Sequence, residues 1–190
     1  MTVDFPNKHF LINGEWVCSN TEIDLINPST GDVIAQVSEA NNEHVNDAVG
    51  VAKDTLENTW KNITARERST LLSTLGRLIE ENYDVLASLE ATDVGKPLRQ
   101  AQADVKALAR YMEFYAGAAD KLHGDTIPYL KDYTVYTLRE PHGVCAHIIP
   151  WNYPMQIIGR SVGAALATGN TCILKPAEEA CLTALAFGAV

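Results

Sequence analysis

The sequence lacks the short motifs that most often indicate a redox, metal or nucleotide site. Its four cysteines have no Cys-x-x-Cys spacing and its five histidines are scattered, so it predicts neither a disulfide framework nor a metal centre. It contains neither a Gly-x-Gly-x-x-Gly nor a Gly-x-x-x-x-Gly-Lys-Ser/Thr loop, so pattern alone names no nucleotide. No spacing suggests a Ser-His-Asp or Cys-His arrangement either. We expect the cysteines to be reduced thiols of a cytoplasmic protein.

Positive charge and long apolar runs are also scarce. The chain has 15 Lys and Arg against 24 Asp and Glu, a formal charge of -9, which argues against nucleic acid or an anionic membrane surface as partner. Charged residues break the least charged stretches before they reach the roughly 18 apolar residues of a membrane span. The polar first nine residues predict no signal peptide. With 46% hydrophobic residues over 190 positions, one globular core is expected.

Strand signals occur at the start of the chain and again after residue 130. Asn13-Gly14 predicts a hairpin between the short apolar segments on either side of it. A turn over residues 27–32 leads into a strand predicted at 33–37. The alternating, aromatic segment 132–139 predicts a long strand, whose edge is paired either within the chain or by another subunit.

Between these strand signals, apolar residues recur at helical spacing and predict three helices. The second helix opens with a capping box at Thr64-Ala65-Arg66-Glu67. Such stripes normally pack on their own domain, and we expect them to do so here instead of binding a partner. The three stripes run over residues 45–60, 71–89 and 98–119.

The segment 143–178 predicts two short buried strands, at 143–149 and 171–174, joined by a helix over 155–168. Because β-α-β units are right-handed, both strand-to-helix corners fall on the same edge of the sheet, where open α/β sheets bind ligands. Asn152 lies at the first corner. Lys175 lies at the second, where Lys-Pro-Ala-Glu is predicted to open a further helix that reaches Phe187.

The residues themselves leave two interpretations open at each corner. Asn152 either steadies a developing oxyanion with its amide or caps the helix that follows, and the local pattern alone favours the cap. Lys175 and Glu178 either suit a helix start after Pro176 or hold the ribose hydroxyls of a dinucleotide. In the second case the acidic side chain favours NAD, because it would repel a 2′-phosphate.

Three stretches together are specific enough to indicate a family. They are Ile-Ile-Pro-Trp-Asn-Tyr-Pro at 148–154, Ala-Ala-Leu-Ala-Thr-Gly-Asn at 164–170 and Lys-Pro-Ala-Glu at 175–178. The chain resembles the amino-terminal portion of the NAD(P)-dependent aldehyde dehydrogenase superfamily. The resemblance implies an α/β fold with small antiparallel strands, a helical layer, an extended ribbon and the first β-α-β of a doubly wound, Rossmann-like sheet that is incomplete in these 190 residues.

The resemblance also implies roles for the corner residues and overturns the cap interpretation of Asn152. It makes this asparagine the amide donor to the thiohemiacetal oxyanion, and it makes NAD the expected cofactor, with NADP as the alternative. Lys175 and Glu178 match the pair that binds the adenosine ribose. The nicotinamide end of the cofactor cleft would be lined by Ile148, Ile149, Pro150 and Trp151.

Arg160 follows Asn152 on the predicted helix, near where this family places its substrate entrance. A guanidinium binds carboxylates bidentately, so it would favour an aldehyde with an acidic or polar tail. The alternative is a solvated surface arginine.

At the level of the whole chain, the resemblance implies oxidation of an aldehyde to a carboxylic acid with NAD(P)+. Residues 1–190 are expected to form part of the NAD(P)-binding domain, with 121–140 as an oligomerisation arm of a homo-oligomer. The family's nucleophilic cysteine and glutamate base match no residue here, so the catalytic domain is expected to be absent and these residues inactive alone. The alternative is a noncatalytic protein that binds full-length aldehyde dehydrogenase subunits through 132–139.

Overall fold

A β-hairpin begins the part of the chain that the computed structural model describes, residues 9–190. The polar segment 1–8, where we expect no signal peptide, lies outside the described residues. Asn13 and Gly14 adopt the positive φ angles (54° and 76°) that a two-residue hairpin turn requires. Strand β1 (Phe10–Ile12) pairs antiparallel with β2 (Glu15–Val17), as predicted.

A second antiparallel pair follows directly, formed by β3 (Glu22–Ile26) and β4 (Val33–Ser38). The turn between them is closed by the backbone N–H of Asn27, which donates to the Asp32 carbonyl at 2.8 Å. Gly31 in this turn has a φ of 80°, a conformation that favours glycine. The strand predicted at 33–37 is confirmed.

Four α-helices, and not the predicted three, form the helical layer. The stripe over 71–89 is divided at Asn82, whose φ and ψ of −102° and 16° leave the helical region. The Asn82 side-chain amide donates to the Leu78 carbonyl at 2.9 Å, and the same carbonyl accepts the backbone N–H of Asn82 at 3.1 Å. The helices are α1 (Asn42–Asn58), α2 (Ala65–Glu81), α3 (Tyr83–Val94) and α4 (Leu98–Ala118), with a 3₁₀ turn at Trp60–Asn62.

The ribbon after α4 is much shorter than predicted. Strand β5 (Thr126–Ile127) pairs antiparallel with β6 (Val135–Tyr136), so the pairing is within the chain. The long strand expected over 132–139 is wrong, because Asp132 has a φ of 71° and the Tyr133 N–H turns back to the Leu130 carbonyl at 3.3 Å.

The predicted β-α-β unit is present. Strand β7 (Val144–Ile148) runs into α5 (Pro154–Ala167) and returns as β8 (Thr171–Lys175), parallel to β7. The last helix, α6, spans Leu182–Gly188. The prediction that Lys-Pro-Ala-Glu opens it is wrong, since residues 178–179 form a turn in which the Ala180 N–H donates to the Ala177 carbonyl at 3.3 Å.

The main hydrophobic core lies between α2, α4 and α5. Ile79, Met112 and Ile158 from these three helices are fully buried in it. A Cβ added to Gly159 would lie 2.9 Å from the ring of Tyr111, and one added to Gly163 would lie equally close to Tyr115. These glycines let α5 approach α4 closely, and this contact fixes the position of the helix that follows Asn152.

Candidate functional site

The two strand-to-helix corners of the β-α-β unit lie side by side. Ile148 at the end of β7 is paired with Lys175 at the end of β8. The backbone N–H of Ile149 donates to the Lys175 carbonyl at 2.9 Å, so the ladder continues to the last residue before the first corner. Asn152 and Lys175 therefore lie at the same edge of the sheet, as the sequence predicts.

At the first corner, one buried residue is flanked by exposed ones. The side chain of Ile149 is 2% exposed and belongs to the main core. Ile148 is 79% exposed and Trp151 is 56% exposed, although both are large and apolar. Pro150 is also exposed. Of the four residues predicted to line the nicotinamide end, three present their side chains to solvent and Ile149 does not.

Asn152 does not cap the helix that follows it. The N-cap residue of α5 is Tyr153, and Pro154 occupies the first helical turn, where its missing N–H leaves no donor to satisfy. The N-cap interpretation of Asn152 is therefore wrong. The side chain of Asn152 is exposed, and the carboxamide is available to a ligand.

At the second corner, Lys175 and Glu178 form an ion pair. The Lys175 ammonium donates to Oε1 of Glu178 at 2.5 Å, and both side chains are more than half exposed. This hydrogen bond lowers the pKa of Glu178 below its ordinary value, so the carboxylate is ionised well below neutral pH too. An ionised carboxylate accepts hydrogen bonds only, and it suits a ligand that carries neighbouring hydroxyl groups.

An open groove of about 530 Å³ connects the two corners. Trp151 comes from the first corner and Glu178 from the second, and both line it. The opposite wall is made by strand β3, by the turn that follows it and by the end of α3. The lining residues are Ile23, Asp24, Ile26, Pro28, Asp93, Val94, Trp151, Glu178, Glu179 and Ala180.

Arg160 lies on α5 with its side chain exposed. It forms no ion pair with any residue in the range 9–190. The structure thus brings the two corners together but gives no contact between Arg160 and either of them.

The cysteines of the β-α-β region are poorly suited to nucleophilic attack. Burial raises the pKa of the Cys172 and Cys181 thiols to about 12, so both are protonated at neutral pH. Cys145 lies in mid-strand opposite Cys172, and Cys18 is exposed far from the corners in sequence. Among residues 9–190, no group of three or more His, Cys, Asp or Glu is placed to hold a metal ion. No helix in this range is long and apolar enough to cross a membrane.

Sequence reasoning missed a buried charged cluster beneath the first corner. The Lys96 ammonium donates to Glu90 at 2.8 Å and to Asp104 at 2.7 Å, and both acids are 0% exposed. Gln156, in the first turn of α5, donates to the other oxygen of Asp104 at 2.7 Å. Lys96 also lies 4.7 Å from the centre of the Tyr153 ring, within cation–π distance.

A signal for this cluster was present in the sequence. Asp104 falls three residues after Ala101 and four before Leu108, on the apolar stripe of α4. Glu90 falls four residues after Leu86, on the apolar side of α3. An acid on such a stripe is buried, and it requires a partner.

The fold and its polar corners define an α/β protein with the start of a doubly wound sheet. Residues 16–190 match the model of the aldehyde dehydrogenase family, and the chain belongs to that family. It is 44% identical over 191 residues to aldehyde dehydrogenase family 2 member B4, mitochondrial, of Arabidopsis thaliana, covering 98% of this chain and 36% of that protein. It is 39% identical to retinal dehydrogenase 2 of Gallus gallus, and the match covers 100% of this chain and 38% of that protein.

Solved structures agree with this assignment. The NAD+ complex of an aldehyde dehydrogenase from Bacillus cereus superposes with a TM-score of 0.93 at 42% identity, over 96% of this chain and 38% of that one. An NADP-dependent enzyme from E. coli gives a TM-score of 0.93 at 37% identity, and the match covers 97% of this chain and 39% of that one. The fold is thus the amino-terminal part of the aldehyde dehydrogenase fold, and the chain spans less than two-fifths of the length of these relatives.

Proposed function

We propose that this chain supplies the oxyanion donor and part of the NAD cleft of an enzyme that oxidises an aldehyde to a carboxylic acid. The observation that carries the proposal is that one groove joins the Trp151 corner to Glu178, with the exposed Asn152 carboxamide at the same sheet edge. The names of the relatives support the reaction class, and the NAD+ complex of a similar structure supports the cofactor.

The groups at the corners fit a dinucleotide. The exposed apolar side chains of Ile148 and Trp151 suit contact with a flat ring, and Pro150 is exposed beside them. The Ile149 side chain is buried, so only its backbone could contact the ring. The ionised Glu178 suits ribose hydroxyls, and Lys175 holds this carboxylate in place. Because Glu178 would repel a 2′-phosphate, NAD is favoured over NADP.

In this proposal the chain acts on the reaction by stabilising charge. When a thiolate adds to the aldehyde carbon, the carbonyl oxygen gains negative charge, and the Asn152 amide N–H donates to it. Bound NAD+ supplies the acceptor for the hydride that leaves the same carbon. The thiolate and the general base are expected from parts of the family fold outside these 190 residues, so we expect residues 1–190 alone not to turn over an aldehyde.

Replacing Asn152 by alanine tests the oxyanion role. In a complete aldehyde dehydrogenase that carries these residues, Asn152→Ala is expected to lower kcat by roughly 100- to 1000-fold, because one transition-state donor is lost. NAD affinity, measured by fluorescence titration, should stay within about twofold, since the donor contacts the reacting oxygen. Asn46→Ala, an exposed asparagine on α1, is the matched control. A variant that retains full kcat would refute the role.

Replacing Arg160 by leucine tests a role in substrate choice. We propose that the exposed guanidinium attracts an aldehyde with a carboxylate tail, which it can bind bidentately. Arg160→Leu should reduce the ratio of kcat/KM for acidic aldehydes to that for neutral ones by roughly 10-fold or more. A change of about this size is expected when one hydrogen bond to a charged group is lost. Arg99→Leu, an exposed arginine on α4, controls for the loss of one positive charge. An unchanged ratio would show that Arg160 is a solvated surface residue.

We propose further that residues 121–140 form the oligomerisation arm of the complete enzyme, which would be a homo-oligomer. Five large side chains in this segment are each at least 62% exposed, namely Tyr129, Leu130, Tyr133, Tyr136 and Leu138. An apolar surface of this kind is typical of an interface. The same surface also supports the second candidate function, a noncatalytic protein bound to full-length subunits. Co-purification with an intact enzyme at fixed stoichiometry, without added dehydrogenase activity, would favour that candidate.

A further inference from the structure

Helix α3 carries two fully buried acids one turn apart. Glu90 is 0% exposed and Asp93 is 2% exposed, and their spacing of three residues places both on one face of the helix. Neither acid was selected from the sequence as a candidate site residue. Each faces the start of a different helix, and each of those helices follows one of the two corners of the candidate site.

Asp93 caps α6. Its Oδ2 accepts both the backbone N–H and the side-chain hydroxyl of Thr183, each at 3.0 Å. The backbone N–H of Leu182 also faces this carboxylate. The N-cap residue Cys181 makes no capping hydrogen bond with its own side chain. The start of α6 thus depends on an acid 90 positions earlier in the chain.

Glu90 is linked to the start of α5 mainly through a chain of side chains. The backbone N–H of Met155, in the first turn of α5, faces the Glu90 carboxyl. Glu90 also accepts from Lys96, which bridges to Asp104, and Asp104 in turn holds Gln156. The N-cap residue of α5, Tyr153, makes no capping hydrogen bond with its side chain. An acid from α3 therefore again lies against the first turn of a helix.

We propose that Glu90 and Asp93 are positioning residues, which fix both ligand-binding corners of the sheet from a single helix. Glu90 holds the start of α5, two residues after Asn152, and Asp93 holds the start of α6, four residues after Glu178. Glu90 is not required to touch substrate or cofactor, and Asp93, although it lines the groove, acts through the helix start that it caps. The roles of Asn152 and Glu178 rest on the proposed function, whereas the attachment of the two helix starts to α3 does not.

Residue-resolved amide hydrogen exchange on the 190-residue chain tests the attachment without any assay of activity. Asp93→Ala should speed exchange of the Thr183 amide and of the α6 amides by about 10-fold, because a helix cap is lost. The amides at the start of α5 should keep their wild-type rates. Glu90→Leu should give the reverse pattern, with faster exchange at Ile157, whose N–H is bonded to the Tyr153 carbonyl, and wild-type rates in α6.

Two kinds of control keep the test decisive. Asp84→Ala, an exposed acid in the first turn of α3, should change neither helix start. Asp93→Asn keeps an acceptor of the same shape and should restore slow exchange at Thr183. If Asp93→Ala does not fold, Thr183→Val removes one of the two donors while keeping the shape, and a smaller increase confined to α6 is expected. The proposal is overturned if the variants change both helix starts equally or change neither.

A binding measurement then separates this proposal from the proposed function. In a complete enzyme, Asp93→Ala should weaken NAD binding by roughly fivefold or more through Glu178, while Glu90→Leu should lower kcat more than it changes NAD affinity. Altered exchange without these effects would refute the ligand roles of Asn152 and Glu178 and leave the positioning intact. Unaltered exchange would refute the positioning, whatever the kinetics.

Discussion

At the scale of single residues, burial decides which polar groups can act on a ligand and which serve the fold. Asn152 and Glu178 are exposed at the sheet edge, where a carboxamide and an ionised carboxylate are available to an incoming molecule. The thiols of Cys172 and Cys181 are shielded, and desolvation raises their pKa so far that neither is a useful nucleophile. Glu90 and Asp93 are shielded as well, and they accept hydrogen bonds from Lys96 and Thr183 respectively.

The buried Glu90 should give the stability of the chain a pH dependence of definite sign. Burial raises the pKa of Glu90 from its ordinary value of about 4.5 to about 7, against the opposing effect of Lys96. Between these values the folded state binds a proton that the unfolded state does not, so the free energy of unfolding falls as pH rises through this window. Glu90→Gln should flatten that fall by on the order of 1–3 kcal/mol.

Urea denaturation at several pH values from about pH 5 to about pH 7.5 measures this effect. Burial raises the pKa of Asp93 to about 6, so Asp93 also makes the free energy of unfolding fall with rising pH, but at lower pH. Burial lowers the pKa of His147, so His147 makes the free energy of unfolding rise with pH. Both remain in the variant, so the difference between the two profiles isolates Glu90. Exposed Glu80→Gln is the control. Parallel profiles for wild type and Glu90→Gln would contradict the assignment of a raised pKa.

At the scale of elements, sequence-based prediction succeeds where the cause is local. The Asn13–Gly14 hairpin, the Thr64 capping box and the two parallel strands depend on residues within a few positions of one another, and all three are found. The start of α6 was misplaced because its cap comes from Asp93, far away in sequence. The break at Asn82 was missed because the apolar stripe continues across it.

The arm of residues 121–140 carries a prediction at this scale. Its short ladder, β5 with β6, is paired within the chain, and so its exposed tyrosines are not needed to close the ribbon. If the arm forms the subunit interface, the double substitution Tyr136→Ser and Leu138→Ser should shift the complete enzyme toward smaller assemblies, because the apolar contact area falls. Light scattering after size exclusion measures the mass. A double variant at exposed Leu71 and Val45 is the matched control, and an unchanged mass in the arm variant would exclude this segment from the interface.

At the scale of the whole molecule, two cores meet at the candidate site. The main core holds α5 against α2 and α4, and a smaller one, with Leu25, Val37 and Leu182, holds α6 against β3 and β4. The corners between them carry the candidate residues. Their shared edge was predictable, since the handedness of the β-α-β unit determines it. The groove was not predictable, because its second wall comes from strand β3, the turn after it and the end of α3.

A structure of the complete enzyme with bound NAD tests the central claim most directly. We expect one Glu178 carboxylate oxygen to lie within about 3 Å of a ribose hydroxyl, at hydrogen-bonding distance. We expect the nicotinamide end to lie at the corner of Trp151, with the Asn152 amide facing the same reaction space. A dinucleotide bound elsewhere, or an Asn152 side chain directed away from the nicotinamide, would contradict the account.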